Sequence, residues 1–349
     1  MGKYDKLAKV KLLEPSNPNK ATSIINGKAS GILNWNDIKY SNFYDIYKML
    51  LGNFWTPFEI NMSDDIKQWK KLSERERDAF LHIIGLLSIL DSVQPNFIGA
   101  IKEYITDPSV KANFSIIEQQ EVVHNQSYSY VLASIEKLSE QNRAFEMART
   151  TPQIYERNKH VIDVYEEFRS NPNVYTFCKA LVASIVLEGI NFYSGFAFFY
   201  NLARNQKMLK TSTMISYINK DELCHSYFIS QLLRAVLGEN PEVDEDGEFS
   251  KWIYEYIDKA VKYEIEWSRF VLRDIDGIDV DEMTEYIKYL GNKRLRMLGL
   301  EDLYDATENS MPWIRVFSDE NINLSKTDFF ENRPRSYAKT TDDNGFDEL

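Results

Sequence analysis

Two of the four histidines in this 349-residue chain stand in the same four-residue frame, E-x-x-H: Glu121-Val122-Val123-His124 and Glu222-Leu223-Cys224-His225. On an α-helix, residues i and i+3 share a face, so each frame turns a carboxylate and an imidazole toward one point. Two such frames facing each other can hold two metal ions. Two long apolar stretches each add a lone acid. Asp91 is the only formal charge between Ala79 and Ile101, and Glu188 is the only one between Ala180 and Ala203. A buried ionised carboxylate costs on the order of several kcal/mol unless it is paired or bound to a cation, and ligation removes that cost at both positions. His82 and His160 lack such company and read as ordinary surface or core histidines. Cys224, inside the second frame, reads as packing.

Four carboxylates and two imidazoles form a mixed oxygen and nitrogen set. It suits iron or manganese better than a closed structural zinc site, which favours thiolates and histidines. One acid from each of two helices plus E-x-x-H from each of two others is the donor pattern of ferritin-like di-iron and di-manganese proteins. Asp91 precedes Glu121 by 30 residues and Glu188 precedes Glu222 by 34, a weak internal repeat of ligand placement without close sequence similarity.

The elements that must position these groups are helices. Asp107-Pro108, Thr151-Pro152 and Asn171-Pro172 read as N-caps followed by proline at the first helical position. Strand signals are weak. Helices are expected near 36–52, 73–104, 108–138, 152–170, 172–203, 205–237, 249–274 and 279–297, with Pro95 kinking the second. The expected fold is all-α: a ferritin-like helical bundle over 36–320 enlarged by extra helices, an irregular segment over 1–35, and a flexible polar tail over 321–349. The two apolar stretches are long enough to span a bilayer, but they lack basic flanks and aromatic belts and read as buried core helices.

Apolar residues at 44% suffice for a large core, and the net charge of −12 argues against nucleic-acid and anionic-membrane partners. Two cysteines make no disulfide framework, and the N-terminus lacks the apolar core of a signal peptide, so the expected location is the cytoplasm.

Further motifs carry a resemblance. Leu90-Asp91-Ser92-Val93-Gln94, Glu121-x-x-His124-x-x-x-Tyr128, Leu187-Glu188-Gly189-Ile190-Asn191-Phe192-Tyr193-Ser194-Gly195-Phe196 and Lys220-Asp221-Glu222-x-x-His225 occur in that order. From about Trp55 onward the chain resembles the small, radical-generating subunit of class I ribonucleotide reductase. The resemblance implies Asp91, Glu121 and His124 on one metal and Glu188, Glu222 and His225 on the other, with Glu121 and Glu222 bridging. It implies two metal ions per chain, iron or manganese. Tyr128 becomes the residue oxidised to a stable neutral radical, with Phe192 and Phe196 shielding it. Trp55, in Asn53-Phe54-Trp55-Thr56-Pro57, is expected to hydrogen-bond Asp221, giving a relay from Tyr128 by way of His124, Asp221 and Trp55.

In the tail, Asp328-Phe329-Phe330-Glu331 is followed by Tyr337, which resembles the tyrosine that carries the oxidising equivalent to the large subunit. The last residues, with Phe346 and Leu349, resemble the peptide that docks there. The implied partners are the large catalytic subunit, through that tail, and a second copy in a homodimer. The residues leave open whether a flavodoxin-like activator is needed, and whether the substrate is a diphosphate or a triphosphate. Substrate sites belong to the partner, which fits the lack of a phosphate-cradling glycine loop here. The alternatives are a ferritin-like ligand-binding oxidase or monooxygenase, which needs neither Tyr337 nor a docking tail, or metal storage, which does not need Trp55 or Tyr128 in these positions.

Overall fold

The computed structural model describes residues 2–317. Tyr337, Glu331, Phe346, Leu349 and the whole segment 321–349 lie outside the described residues. Within them the chain is all-α, as expected. The helices are α1 Asn42–Gly52, α2 Ser63–Trp69, α3 Glu74–Lys102, α4 Pro108–Ile135, α5 Leu138–Thr150, α6 Pro152–Ser170, α7 Val174–Val186, α8 Tyr193–Arg204, α9 Leu209–Glu239, α10 Glu248–Leu272 and α11 Val280–Met297. A π-helical turn, Leu187–Asn191, joins α7 to α8.

Local chemistry explains several of the starts. Ser73 and Glu76 form a reciprocal capping box at α3, and Asp107 accepts from the Ser109 amide ahead of α4 with Pro108 in its first turn. The expected start at Asn171-Pro172 is corrected. Asn173 is the cap of α7, in a box with Thr176, because its side-chain Oδ1 accepts from the Thr176 amide and Pro172 stays outside the helix. The start of α9 is not local at all. Met208 sits at φ 49°, and the amides of Lys210 and Thr211 are satisfied by Asp65 of α2, at 3.1 and 2.7 Å.

Other expectations need correction too. Residues 36–41 form turns rather than helix. Two helices were not foreseen: α2 has only seven residues, and α5 buries little more than Ala144 and Ala148, too narrow a stripe to read as amphipathic. The single helix expected over 172–203 is divided by the π turn. Pro95 does lie inside α3, which is one continuous helix in keeping with the expected span 73–104. That proline has no N–H to give the carbonyl four residues back, which belongs to Asp91.

α3, α4, α9 and the α7–α8 pair pack as the central bundle. Both stretches long and apolar enough to cross a membrane lie here, and the most apolar part of Val174–Arg204 is wholly buried. Residues 2–35 carry no helix, yet Leu7, Ile24 and Ile25 are buried, and Lys6 and Ile25 bridge to Asn173 and Ile105. α5 closes against α3 at Gly85, where an added Cβ would stand 2.3 Å from the Ala144 carbonyl oxygen. Glycine to alanine inside an exposed helix would gain about 1 kcal/mol. Here the obstacle is backbone, so Gly85→Ala is expected to destabilise by roughly 1–3 kcal/mol, read as a lower Tm; a higher Tm would contradict this packing.

Candidate metal centre

Four elements bring the six expected ligands together. Asp91 comes from α3, Glu121 and His124 from α4, Glu188 from the π turn, and Glu222 and His225 from α9. All six are buried. They form two overlapping groups, Asp91–Glu121–His124–Glu222 and Glu121–Glu188–Glu222–His225, with the donor atoms of each group within 4.8 Å of one another. Glu121 and Glu222 belong to both. His124 Nδ1 lies 3.0 Å from Glu222 and 3.6 Å from Glu121. His225 Nδ1 lies 3.2, 3.3 and 3.5 Å from Glu121, Glu222 and Glu188.

The donor set fits metal ions on direct evidence. Both oxygens of Asp91, Glu121 and Glu222, one oxygen of Glu188, and Nδ1 of both histidines are buried without a hydrogen-bond partner. Buried polar atoms in folded proteins are almost always satisfied, so such a concentration calls for a ligand. Four carboxylates with neutral histidines carry four negative charges, which two divalent cations balance. The electrostatics of the cluster carry the same strain. Burial, and then the charge of Glu121, raises Asp91 well above the usual carboxylate range. Burial with Glu188 and Glu121 does this to Glu222, and burial with Glu121 raises Glu188. Burial also pushes Glu121 up, but His124 and His225 outweigh it and hold that carboxyl at about 2. Burial alone would lower both imidazoles; the carboxylates around them raise them well above the usual value instead.

An outer layer orients the histidines, and it is reciprocal. The residue before each frame's glutamate holds the other frame's histidine. Asp221 Oδ2 faces His124 Nε2 at 3.0 Å, and Gln120 Oε1 faces His225 Nε2 at 3.0 Å. Gln120 Nε2 donates to the Leu50 carbonyl and to Asp221 Oδ1, which fixes its amide orientation. With an acceptor at Nε2, each ring carries its proton there and offers the Nδ1 lone pair inward. Asp221 Oδ2 also accepts from Trp55 Nε1 at 2.8 Å, and the indole lies near-parallel to the His124 ring with centroids 6.1 Å apart. Trp55, Asp221 and His124 thus form one hydrogen-bonded line.

Tyr128, one turn beyond His124, is buried, and its hydroxyl has no hydrogen-bond partner. Burial, and then the charge of Asp91, raises it far above an ordinary phenol. Phe192 and Phe196 are buried, with ring centroids 5.8 Å apart. His82 and His160 lie outside the cluster, bonded to the carbonyls of Asp78 and Tyr256. Cys224 is buried and takes the Asn53 amide.

Three neighbours went unread in the sequence. Gln94 donates to Glu188 Oε1, Tyr165 donates to Gln94 Oε1 at 2.6 Å and shares a hydrogen bond with Ser184, and Gln120 acts as described. Gln120 had a signal, since it precedes Glu121 as Asp221 precedes Glu222. Gln94 lies one turn after Asp91. Tyr165 had none. Phe97 stacks flat on Tyr165 at 3.7 Å and fixes its ring.

Adding Mn(II) or Fe(II) is expected to raise the melting temperature, with about 2.7 kcal/mol of stabilisation at a hundredfold excess over Kd. Glu222→Ala, which removes a donor common to both groups, should abolish most of that rise. An unchanged rise in this variant would place the ions elsewhere.

The family model described as "Ribonucleotide reductase, small chain" matches residues 32–312. The chain is 48% identical to the ribonucleoside-diphosphate reductase subunit beta of Halalkalibacterium halodurans over 99% of this chain and all of that one. The ribonucleotide reductase R2 subunit from Clostridium botulinum superposes with a TM-score of 0.87, at 37% identity over 90% of this chain and 99% of that chain. The dimanganese(II)-NrdF of Streptococcus sanguinis gives 0.74, at 25% identity over 82% of this chain and 98% of that one.

Proposed function

The chain belongs to the ribonucleotide reductase small-chain family, and from that premise we propose that its buried cluster holds two metal ions and that Tyr128 carries the radical for ribonucleotide reduction. Asp91, Glu121, His124, Glu188, Glu222 and His225 would hold the pair, Glu121 and Glu222 being the residues that belong to both donor groups. When bound, the metal pair supplies, from oxygen, the oxidising power that no acid–base side chain has. Iron and manganese both accept this donor set, and the dimanganese relative supports manganese as one occupant.

This chain's residues do the rest. Tyr128 loses an electron and its phenolic proton, becoming a neutral radical. Asp91, whose charge bears most on that hydroxyl, is the group placed to take the proton. Burial of Tyr128 in a core containing Phe192 and Phe196 keeps water and reductants away. The observation that carries the reading is the line Trp55–Asp221–His124, which runs from the cluster to an indole 9% exposed. A ligand-binding oxidase has no use for such a line. Beyond Trp55 the equivalent passes through Tyr337 of the tail to the large subunit, where the nucleotide is reduced.

As a small subunit, the protein works with that large partner; docking through the last residues, with Phe346 and Leu349, is part of the proposal. So is a homodimer. Ser115, Gln119, Val122, Gln126 and Ser129 make an exposed, uncharged stripe along α4, suited to a second copy.

Tyr128→Phe is expected to retain both metals, lose the radical signal in electron paramagnetic resonance, and reduce turnover to that of the large subunit alone. Turnover at the wild-type rate would sink the tyrosyl mechanism. Removing the last dozen or so residues should leave metals and radical intact while abolishing turnover; full activity would sink tail docking.

A further inference from the structure

The π turn that carries Glu188 has a second anchor, unrelated to its carboxylate. Arg294 of α11 is 1% exposed. Its Nε donates to the Gly189 carbonyl at 2.9 Å and its Nη2 to the Tyr193 hydroxyl at 3.1 Å. The guanidinium stands over the Tyr193 ring, 5.4 Å from its centroid, and Nη1 faces the Met297 sulfur at 3.2 Å. Among the described residues no carboxylate pairs with it. A buried guanidinium without a counter-ion is an expensive device merely to fill space. Its main acceptor is the backbone of the residue next to Glu188.

The turn itself explains the need. A change from α to π bonding takes carbonyls out of their helical register, so they need partners from elsewhere. Arg294 supplies one at Gly189, and a hydrogen bond from a charged donor is about twice as strong as a neutral one. Residue 189 is matched to the arginine. A Cβ there would stand 2.2 Å from Arg294 Nε and 2.7 Å from its Cδ. Only glycine lets the guanidinium reach the carbonyl. The other lone acid, Asp91, lies within the continuous helix α3.

We propose that Arg294 and Gly189 form a lock on the π turn that aims the Glu188 carboxylate into the Glu121–Glu188–Glu222–His225 group, making Arg294 a positioning residue for one of the two metal subsites. Gln94 then fixes one carboxylate oxygen and leaves Oε2 free for a cation. The inference rests on the dimetal reading and deepens it: the two subsites are supported by different means, and one can be weakened without the other.

The test uses metal-free full-length protein titrated with Mn(II), with bound metal counted per chain and electron paramagnetic resonance separating coupled pairs from isolated ions. Wild-type protein should take up two ions as a coupled pair. Arg294→Met should bind one ion with wild-type affinity and the second at least tenfold more weakly, showing the signal of isolated Mn(II). Arg294→Lys, which keeps a cationic donor, should recover much of the second site. Gly189→Ala should reproduce the Arg294→Met pattern while keeping the arginine, and it decides the matter if Arg294→Met does not fold. Two ions bound at wild-type affinity in the folded variants, or equal loss at both sites, overturns the lock. Wild-type protein that never takes up two ions overturns the dimetal reading and the lock with it.

Discussion

Like-charge repulsion at the centre of the bundle is the constraint on which the rest of this structure depends. Four carboxylates in two overlapping groups are shut away from water. No hydrophobic core would assemble around them for its own stability, because desolvating each charge opposes folding. The helices around the cluster therefore act as a frame that holds an unfavourable arrangement until cations or protons neutralise it. The resulting strain is visible in opposite directions at neighbouring groups. Asp91, Glu188 and Glu222 are pushed toward their neutral forms, while Glu121, wedged between two imidazoles, is held ionised.

The frame has an approximate twofold logic with one broken element. Each E-x-x-H unit lends the preceding residue to the opposite histidine. In one direction that residue is a carboxylate, Asp221, and in the other it is an amide, Gln120. A carboxylate behind an imidazole makes it a stronger donor to a metal than an amide does. The asymmetry also points outward, since only Asp221 extends the connection to an indole. The two halves are alike in the donors they bring together and unlike in the residue that stands behind each histidine.

Much of this was legible in the chain. The frames and the lone acids depend on residue types at short spacings, whereas the pairing of Trp55 with Asp221, 166 residues apart, was implied by the family resemblance alone. What stayed hidden depends on tertiary reach. α5 buries alanines, which carry no periodic signal. The break in the helix that bears Glu188 is supported by Arg294, 105 residues away, and nothing near Glu188 announces it. Tyr165 is one of 21 tyrosines, and its place behind Gln94 follows only from how α6 lies on α3. Asn173 displaced Asn171 as a cap because both candidates sit in one short segment and only geometry chooses between them.

The borrowed cap at the start of α9 has a consequence for local opening. The first amides of the helix that carries Glu222 and His225 are satisfied by Asp65, 146 residues earlier in the chain. Undocking of α2 and fraying of α9 are therefore one event, since neither side can leave without stranding buried donors or a buried carboxylate. α4, with its own Asp107 cap, has no such dependence. The half of the site on α4 carries its own insurance against breathing, while the half on α9 shares its fate with a seven-residue helix on the margin of the bundle.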